Sequence, residues 1–163
     1  MKTTDTSKIP FFHKFIATGF GSGYSPVAPG TAGALVATLI WWGYSAALND
    51  YISIISITAI LVIVFTVLGV WSSGVSEKYW GEDPSRVVVD EMVGTWIALL
   101  AVPENGHWGY MIAAFVLFRF FDILKPLGIR KMEKLPGGYG IMADDILSGI
   151  YGMIVIFIFR LLV

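Results

Sequence analysis

Residues 51–76 read YISIISITAILVIVFTVLGVWSSGVS, 26 consecutive positions without Asp, Glu, Lys or Arg and dominated by Ile, Leu and Val. At about 1.5 Å rise per residue, such a run crosses a hydrocarbon core of about 30 Å, where unpaired backbone groups find no water and a helix is favoured. The composition agrees with this reading. Hydrophobic residues fill 56% of the 163 positions and charged residues only 14%, against about 25% charged in ordinary soluble domains. So much apolar sequence excludes a disordered chain, and the absence of cysteine excludes a disulfide scaffold. The length allows one domain, taken as residues 1–163, and a formal charge of −1 gives no general pull toward nucleic acid.

Working outward, residues 15–49 form 35 further uncharged positions, ending in the apolar run 31–48 and the turn Asn49-Asp50. A third apolar segment, 87–102, has only eleven uncharged residues after Glu91, so Asp90 and Glu91 are expected at a membrane edge. The fourth, 108–121, begins after Pro103-Glu104-Asn105-Gly106 and ends with Arg119 and Asp122 ahead of the helix breaker Pro126. The fifth runs from 142 to 162. The expected fold is an all-α, polytopic membrane bundle of about five membrane-associated helices with its amino terminus inside. Near that terminus, residues 10–15 form an amphipathic start that His13 helps to anchor, and no cleaved signal peptide is expected. Gly30, Gly33, Gly149 and Gly152 suit close helix packing, and so short a chain could act as a homo-oligomer.

Orientation follows the basic residues. With the amino terminus inside, segments 1–30, 72–91 and 119–146 hold ten of the eleven basic residues and leave only Arg160 outside. The same segments hold ten of the twelve acidic residues, leaving out Asp50 and Glu104, and the positive-inside rule does not account for that.

Five of those acids stand beside apolar helix ends: Asp90 and Glu91 in VVVDEMVG, Asp122 in FRFFDILKP, and Asp144 and Asp145 in GIMADDILSG. Gathered at one membrane level they repel and resist desolvation, which a cation can offset. Mg2+ prefers hard oxygen ligands, and this set offers oxygen alone. An acid at a helix amino terminus can simply cap it, but Asp122 sits at a carboxyl end, where negative charge is disfavoured. Arg119, Asp122 and Lys125 recur at intervals of three on one helical side, either as a structural pair or with both bases holding a phosphate. Arg86, four residues before Asp90, is a weaker candidate of the same kind. The Gly- and Pro-rich stretch 19–31 can offer backbone N–H groups to an anion at the start of the next helix, and 135–140 can close over the same site. His13 and His107 are assigned to opposite ends, which argues against a two-histidine phosphatase. Any phosphoryl chemistry would then use a water, expected to be metal-activated, ahead of a carboxylate as nucleophile.

Three blocks together, YSPVAPGTAGAL, EDPSRVVVDEMVG, and LFRFFDILKP followed by GGYGIMADDILSG, resemble the phosphatidylglycerophosphatase A family over most of the chain. The resemblance implies a magnesium-dependent bacterial membrane phosphatase that removes the terminal phosphate of phosphatidylglycerophosphate to give phosphatidylglycerol. It carries over the acids Asp83, Asp90, Glu91, Asp122, Asp144 and Asp145 and the polar positions Thr31, Arg119 and Lys125. One departure is Gly81-Glu82, where the family often carries lysines. In this reading Asp90, Glu91, Asp122, Asp144 and Asp145 hold Mg2+ and do the catalysis, Thr31, Arg119 and Lys125 bind the phosphate, and the active site lies at the cytoplasmic face. The rivals are a small transporter with a carboxylate-lined cation pathway and a non-catalytic assembly subunit. The transporter predicts polar groups through the depth of several helices, where these spans hold little beyond Ser and Thr.

Overall fold

The apolar run at 51–76 becomes the body of a 30-residue helix in the computed structural model, which describes residues 9–104 and 108–162. Lys2, Asp5 and Lys8, expected inside, and His107, expected in the outer loop, lie outside the described residues. In chain order the helices are α1 (Phe11–Ala17), α2 (Pro29–Ala47), α3 (Tyr51–Trp80), α4 (Val89–Leu99), α5 (Trp108–Leu124) and α6 (Gly138–Leu162). Short 3-10 turns occupy Ser22–Tyr24 and Ile129–Lys134, and there is no strand among the described residues. The all-α expectation holds.

Local chemistry sets the boundaries. Asp50 caps α3 by accepting the Ser53 backbone N–H at 2.8 Å, and Gly81, at φ 93°, ends it. Pro29 supplies the first residue of α2, where its missing N–H is of no consequence. α6 begins at Gly138, four residues before the expected start at 142, so the Gly138-Tyr139-Gly140 stretch read as loop is its first turn. The reason is close approach: a Cβ on Gly138 would meet the Val70 carbonyl of α3, and one on Gly140 the Leu135 carbonyl.

Two helices, α3 and α6, are long and apolar enough to cross a membrane. Their polarity is inverted relative to a soluble protein: Ile60, Ile63, Val67, Phe157, Ile158 and Leu161 are exposed, while Thr58, Ser72, Ser73, Ser76 and Ser148 are buried. An apolar exterior of this kind suits lipid. α1 lies against α3, where His13 Nδ1 and Ser72 Oγ share a hydrogen bond of 3.3 Å, so His13 does anchor the amino-terminal segment.

The short third segment finds its explanation in α4. Its 11 residues rise about 16 Å, half of a hydrocarbon core, and all of them except Glu91 are buried, among α2, α3, α5 and α6. At its middle the Trp96 indole N–H donates to the Ala37 carbonyl at 3.0 Å, and the Phe65 ring stands edge-on at 5.2 Å. Beyond its far end the Arg160 guanidinium donates to the Ala101 carbonyl at 2.9 Å and the Tyr51 hydroxyl to the Val102 carbonyl at 3.0 Å. The basic residue that stood alone at the outer end in the sequence thus satisfies one carbonyl of the turn that follows α4.

α4 and α6 touch backbone to backbone. A Cβ on Gly149 would collide with the carbonyl of Gly94, and one on Gly94 with the Asp145 carbonyl and the Phe118 ring. Gly149→Ala is expected to lower stability by about 1–3 kcal/mol. At Gly43, where nothing lies within 4 Å, the change to Ala should be neutral or stabilising by up to about 1 kcal/mol. Thermal unfolding of both variants in detergent, followed by circular dichroism, checks the contrast.

Candidate active site

α2, α4 and α6 begin at the end of the bundle where α3 and α5 finish, and there they enclose a cleft of about 760 Å³. Its walls include Gly30, Glu77, Glu82, Asp83, Asp90, Glu91, Arg119, Asp122, Lys125, Glu133, Asp144 and Asp145. The three segments that the sequence singled out for their acids therefore meet at one place, with every one of the five expected carboxylates in the same wall.

Within the cleft the five divide. Asp90, Glu91 and Asp145 each present an oxygen within 4.8 Å of the others. Asp90 is the second residue of α4 and Asp145 lies in the second turn of α6, each four residues before the glycine at which the two helices touch. Contact one turn away on the same faces brings the carboxylates together. Asp122 and Asp144 are instead engaged by bases. The Arg119 guanidinium donates to Asp122 and stands 3.9 Å from Glu91. The Lys125 ammonium donates to Asp144 at 2.5 Å and to Glu133 at 2.7 Å. Burial alone would lower the Lys125 pKa, but its hydrogen bonds to Asp144 and Glu133 outweigh that and raise it above the ordinary lysine range. Lys125 is consequently a fixed cation at neutral pH and no general base.

Several buried polar atoms in this wall lack a hydrogen-bond partner among the described residues: Asp90 Oδ1, Glu91 Oε2, Arg119 Nε and Asp144 Oδ1. Orphaned carboxylate oxygens are costly unless something further binds them. A hard divalent cation suits Asp90, Glu91 and Asp145, which offer oxygen donors only, and an anion suits the open Arg119 Nε. Backbone strain collects here as well. Ala28, Asp83 and Lys125, at φ 47°, 43° and 47°, all line the cleft, a conformation that costs a residue with a Cβ about 1 kcal/mol or more.

Thr31, expected to contact phosphate, is half-buried on α2 and is not part of the cleft wall, whereas its neighbour Gly30 is. A Cβ on Gly30 would meet the Glu91 carboxylate and the Arg119 guanidinium. Of the Gly- and Pro-rich stretch 19–31, only Ala28, Pro29 and Gly30 reach the cleft, while Gly19 and Gly23 pack on Val88 and the Arg86 carbonyl and fix the segment before α4. Arg86 itself lies over the Tyr24 ring at 5.8 Å, outside the cleft wall. Glu77 and Glu133 are wall residues that the sequence showed only as charges on the right side; neither has a helical spacing to the acidic motifs.

A helical bundle with an apolar exterior, whose cleft sets clustered carboxylates beside an arginine and a lysine, has the makings of a membrane enzyme that acts on phosphate groups. Residues 15–160 match the family model of phosphatidylglycerophosphatase A. A Bacteroides thetaiotaomicron protein named "Putative phosphatidylinositol-3-phosphatase" is 57% identical over 151 residues, covering 92% of this chain and 94% of its own. The phosphatidylglycerophosphatase A of Haemophilus influenzae is 42% identical over 144 residues (87% of this chain, 85% of its own), and that of Escherichia coli 38% over 137 residues (83% and 76%). No solved structure matches. The chain belongs to the phosphatidylglycerophosphatase A family and is a phosphatase of lipid metabolism.

Gly30→Ala is expected to reduce turnover roughly ten- to a hundredfold by displacing Glu91 and Arg119, with helix content retained. Phosphate release and circular dichroism on the same sample check it.

Proposed function

We propose that this phosphatase hydrolyses the terminal phosphate of phosphatidylglycerophosphate, giving phosphatidylglycerol and inorganic phosphate, with Mg2+ as cofactor. The observation that carries the reading is the meeting of Asp90, Glu91 and Asp145 within 4.8 Å, in one cleft with Arg119 and Lys125, in a chain whose relatives include two named phosphatidylglycerophosphatase A. The protein is read as a multi-pass protein of the bacterial cytoplasmic membrane, amino terminus inside. The basic residues of the cleft end, Lys78, Arg86, Arg119, Lys125, Arg130, Lys131 and Lys134, support a cytoplasmic cleft.

Asp90, Glu91 and Asp145 would hold Mg2+, which supplies charge neutralisation for the phosphoryl group and a lowered pKa for a water. Arg119 and Lys125 would bind the phosphoryl oxygens as two fixed cations and offset the charge that builds on them. Asp122 keeps Arg119 in place, and Asp144 does the same for Lys125 through one oxygen. The other, Asp144 Oδ1, has no hydrogen-bond partner among the described residues and would take the proton of the attacking water. That water would form the new P–O bond while the bond from phosphorus to the glycerol oxygen breaks, and the proton taken up by Asp144 would pass to the leaving glycerol oxygen. The acyl chains remain among the apolar helices, so the headgroup alone has to enter.

The name of the Bacteroides relative supports a second reading, phosphatidylinositol 3-phosphate as substrate. Both lipids present a phosphomonoester on a hydroxylated headgroup. Phosphate release by purified protein from phosphatidylglycerophosphate, phosphatidylinositol 3-phosphate, phosphatidate and a soluble phosphomonoester, with Mg2+ or with EDTA, separates them. The first substrate is expected to be fastest and EDTA to stop the reaction. Faster release from the inositol lipid would transfer the assignment to it, and no release from any substrate would remove the phosphatase mechanism. Asp145→Asn and Asp122→Asn should each lose about a hundredfold or more while the protein still inserts in membranes; near-normal turnover in both sinks the site.

A further inference from the structure

The Lys125 ammonium holds two carboxylates of unequal kind. Asp144 Oδ2 lies 2.5 Å away with its side chain 8% exposed, and Glu133 Oε1 lies 2.7 Å away with its side chain 42% exposed. Glu133 rides on the 3-10 helix Ile129–Lys134, which Gly128 at φ 92° introduces. The main chain of this segment is fixed against α6, where a Cβ on Gly140 would meet the Leu135 and Glu133 carbonyls. The Glu133 side chain, by contrast, reaches into the open cleft on rotatable bonds.

A phosphate oxygen that approaches Lys125 competes with these two carboxylates for the ammonium's three donors. Losing Lys125 would leave the Asp144 charge buried and unpaired, which is strongly unfavourable, whereas Glu133 can return to water at little cost. We propose that Glu133 is an internal competitor for the phosphate: the phosphomonoester displaces its carboxylate from Lys125, and the carboxylate returns as inorganic phosphate leaves. The inference rests on the reading of the cleft as a phosphate site and adds a residue that sets how tightly phosphate is held. Glu133 is a positioning residue in this scheme, and its effect falls on affinity and product release.

Glu133→Gln keeps the size and removes the charge. In full-length protein in nanodiscs with Mg2+, the competitive inhibition constant of inorganic phosphate and the KM are both expected to fall by roughly three- to fivefold, the scale of an exposed ion pair. Direct titration calorimetry with inorganic phosphate should show the same gain without any turnover. Glu133→Asp, which keeps the charge on a shorter arm, should lie between the two and serves also if the glutamine variant fails to fold. An unchanged or weakened phosphate affinity overturns the proposal, because Glu133 would then only hold Lys125 in place. A wild-type protein that ignores phosphatidylglycerophosphate yet binds phosphate more weakly than Glu133→Gln would overturn the substrate assignment and leave this inference standing.

Discussion

The approach of α4 to α6 at Gly94 and Gly149 governs the rest of the site. In an apolar surrounding the hydrophobic effect does not press helices together, so association depends on packing that small residues permit. Each glycine lies one turn from a carboxylate, Gly94 after Asp90 and Gly149 after Asp145, and the distance between backbones sets the distance between acids. A methyl group between these helices would push Asp90 and Asp145 apart.

Helix direction sets Asp90 and Glu91 apart from Asp122. Asp90 and Glu91 lie in the first turn of α4, near an amino-terminal end whose partial positive charge favours anions, whereas Asp144 and Asp145 lie about two turns into α6. Asp122 lies two residues from the carboxyl end of α5, where the dipole opposes it, and it has the Arg119 guanidinium as a partner. Lys125 follows at the same end and reaches across to Asp144. The bases come from the end of α5 and the residue just past it, and the clustered acids Asp90, Glu91 and Asp145 from helices that begin at the cleft, so the carboxyl end of α5 supplies the positive wall.

Much of this was legible in the sequence, and the limits have physical reasons. The approximate helix positions followed from charge-free runs between turns, and the acids stood out because three segments carried them at apolar ends. The start of α6 was missed because Gly138 and Gly140 read as loop residues, while their role is to let α6 pass against the Val70 and Leu135 carbonyls. Lys125 and Glu133 are eight residues apart across Pro126, a separation with no periodic signal, and only the turn between them makes the pair. The family blocks pointed to Thr31, but the packing demand falls on Gly30, whose missing side chain leaves room for Glu91 and Arg119. The third segment, 87–102, was read as a short span with Asp90 and Glu91 at its edge, and nothing in it announced an 11-residue helix enclosed on all sides.

That enclosure bears on how the protein is made. A helix of 11 residues cannot rest across a bilayer of about 30 Å as an independent span; α4 has a stable place only once its neighbours surround it. Two of those neighbours, α5 and α6, are synthesised after it. α4 is therefore fully enclosed only when α6 is in place and Gly149 lies against Gly94. The same helix carries Asp144 and Asp145, so burial of α4 and assembly of the acidic wall depend on one element. Without α6, α4 would lose one of its covering helices and the cleft two of its five carboxylates.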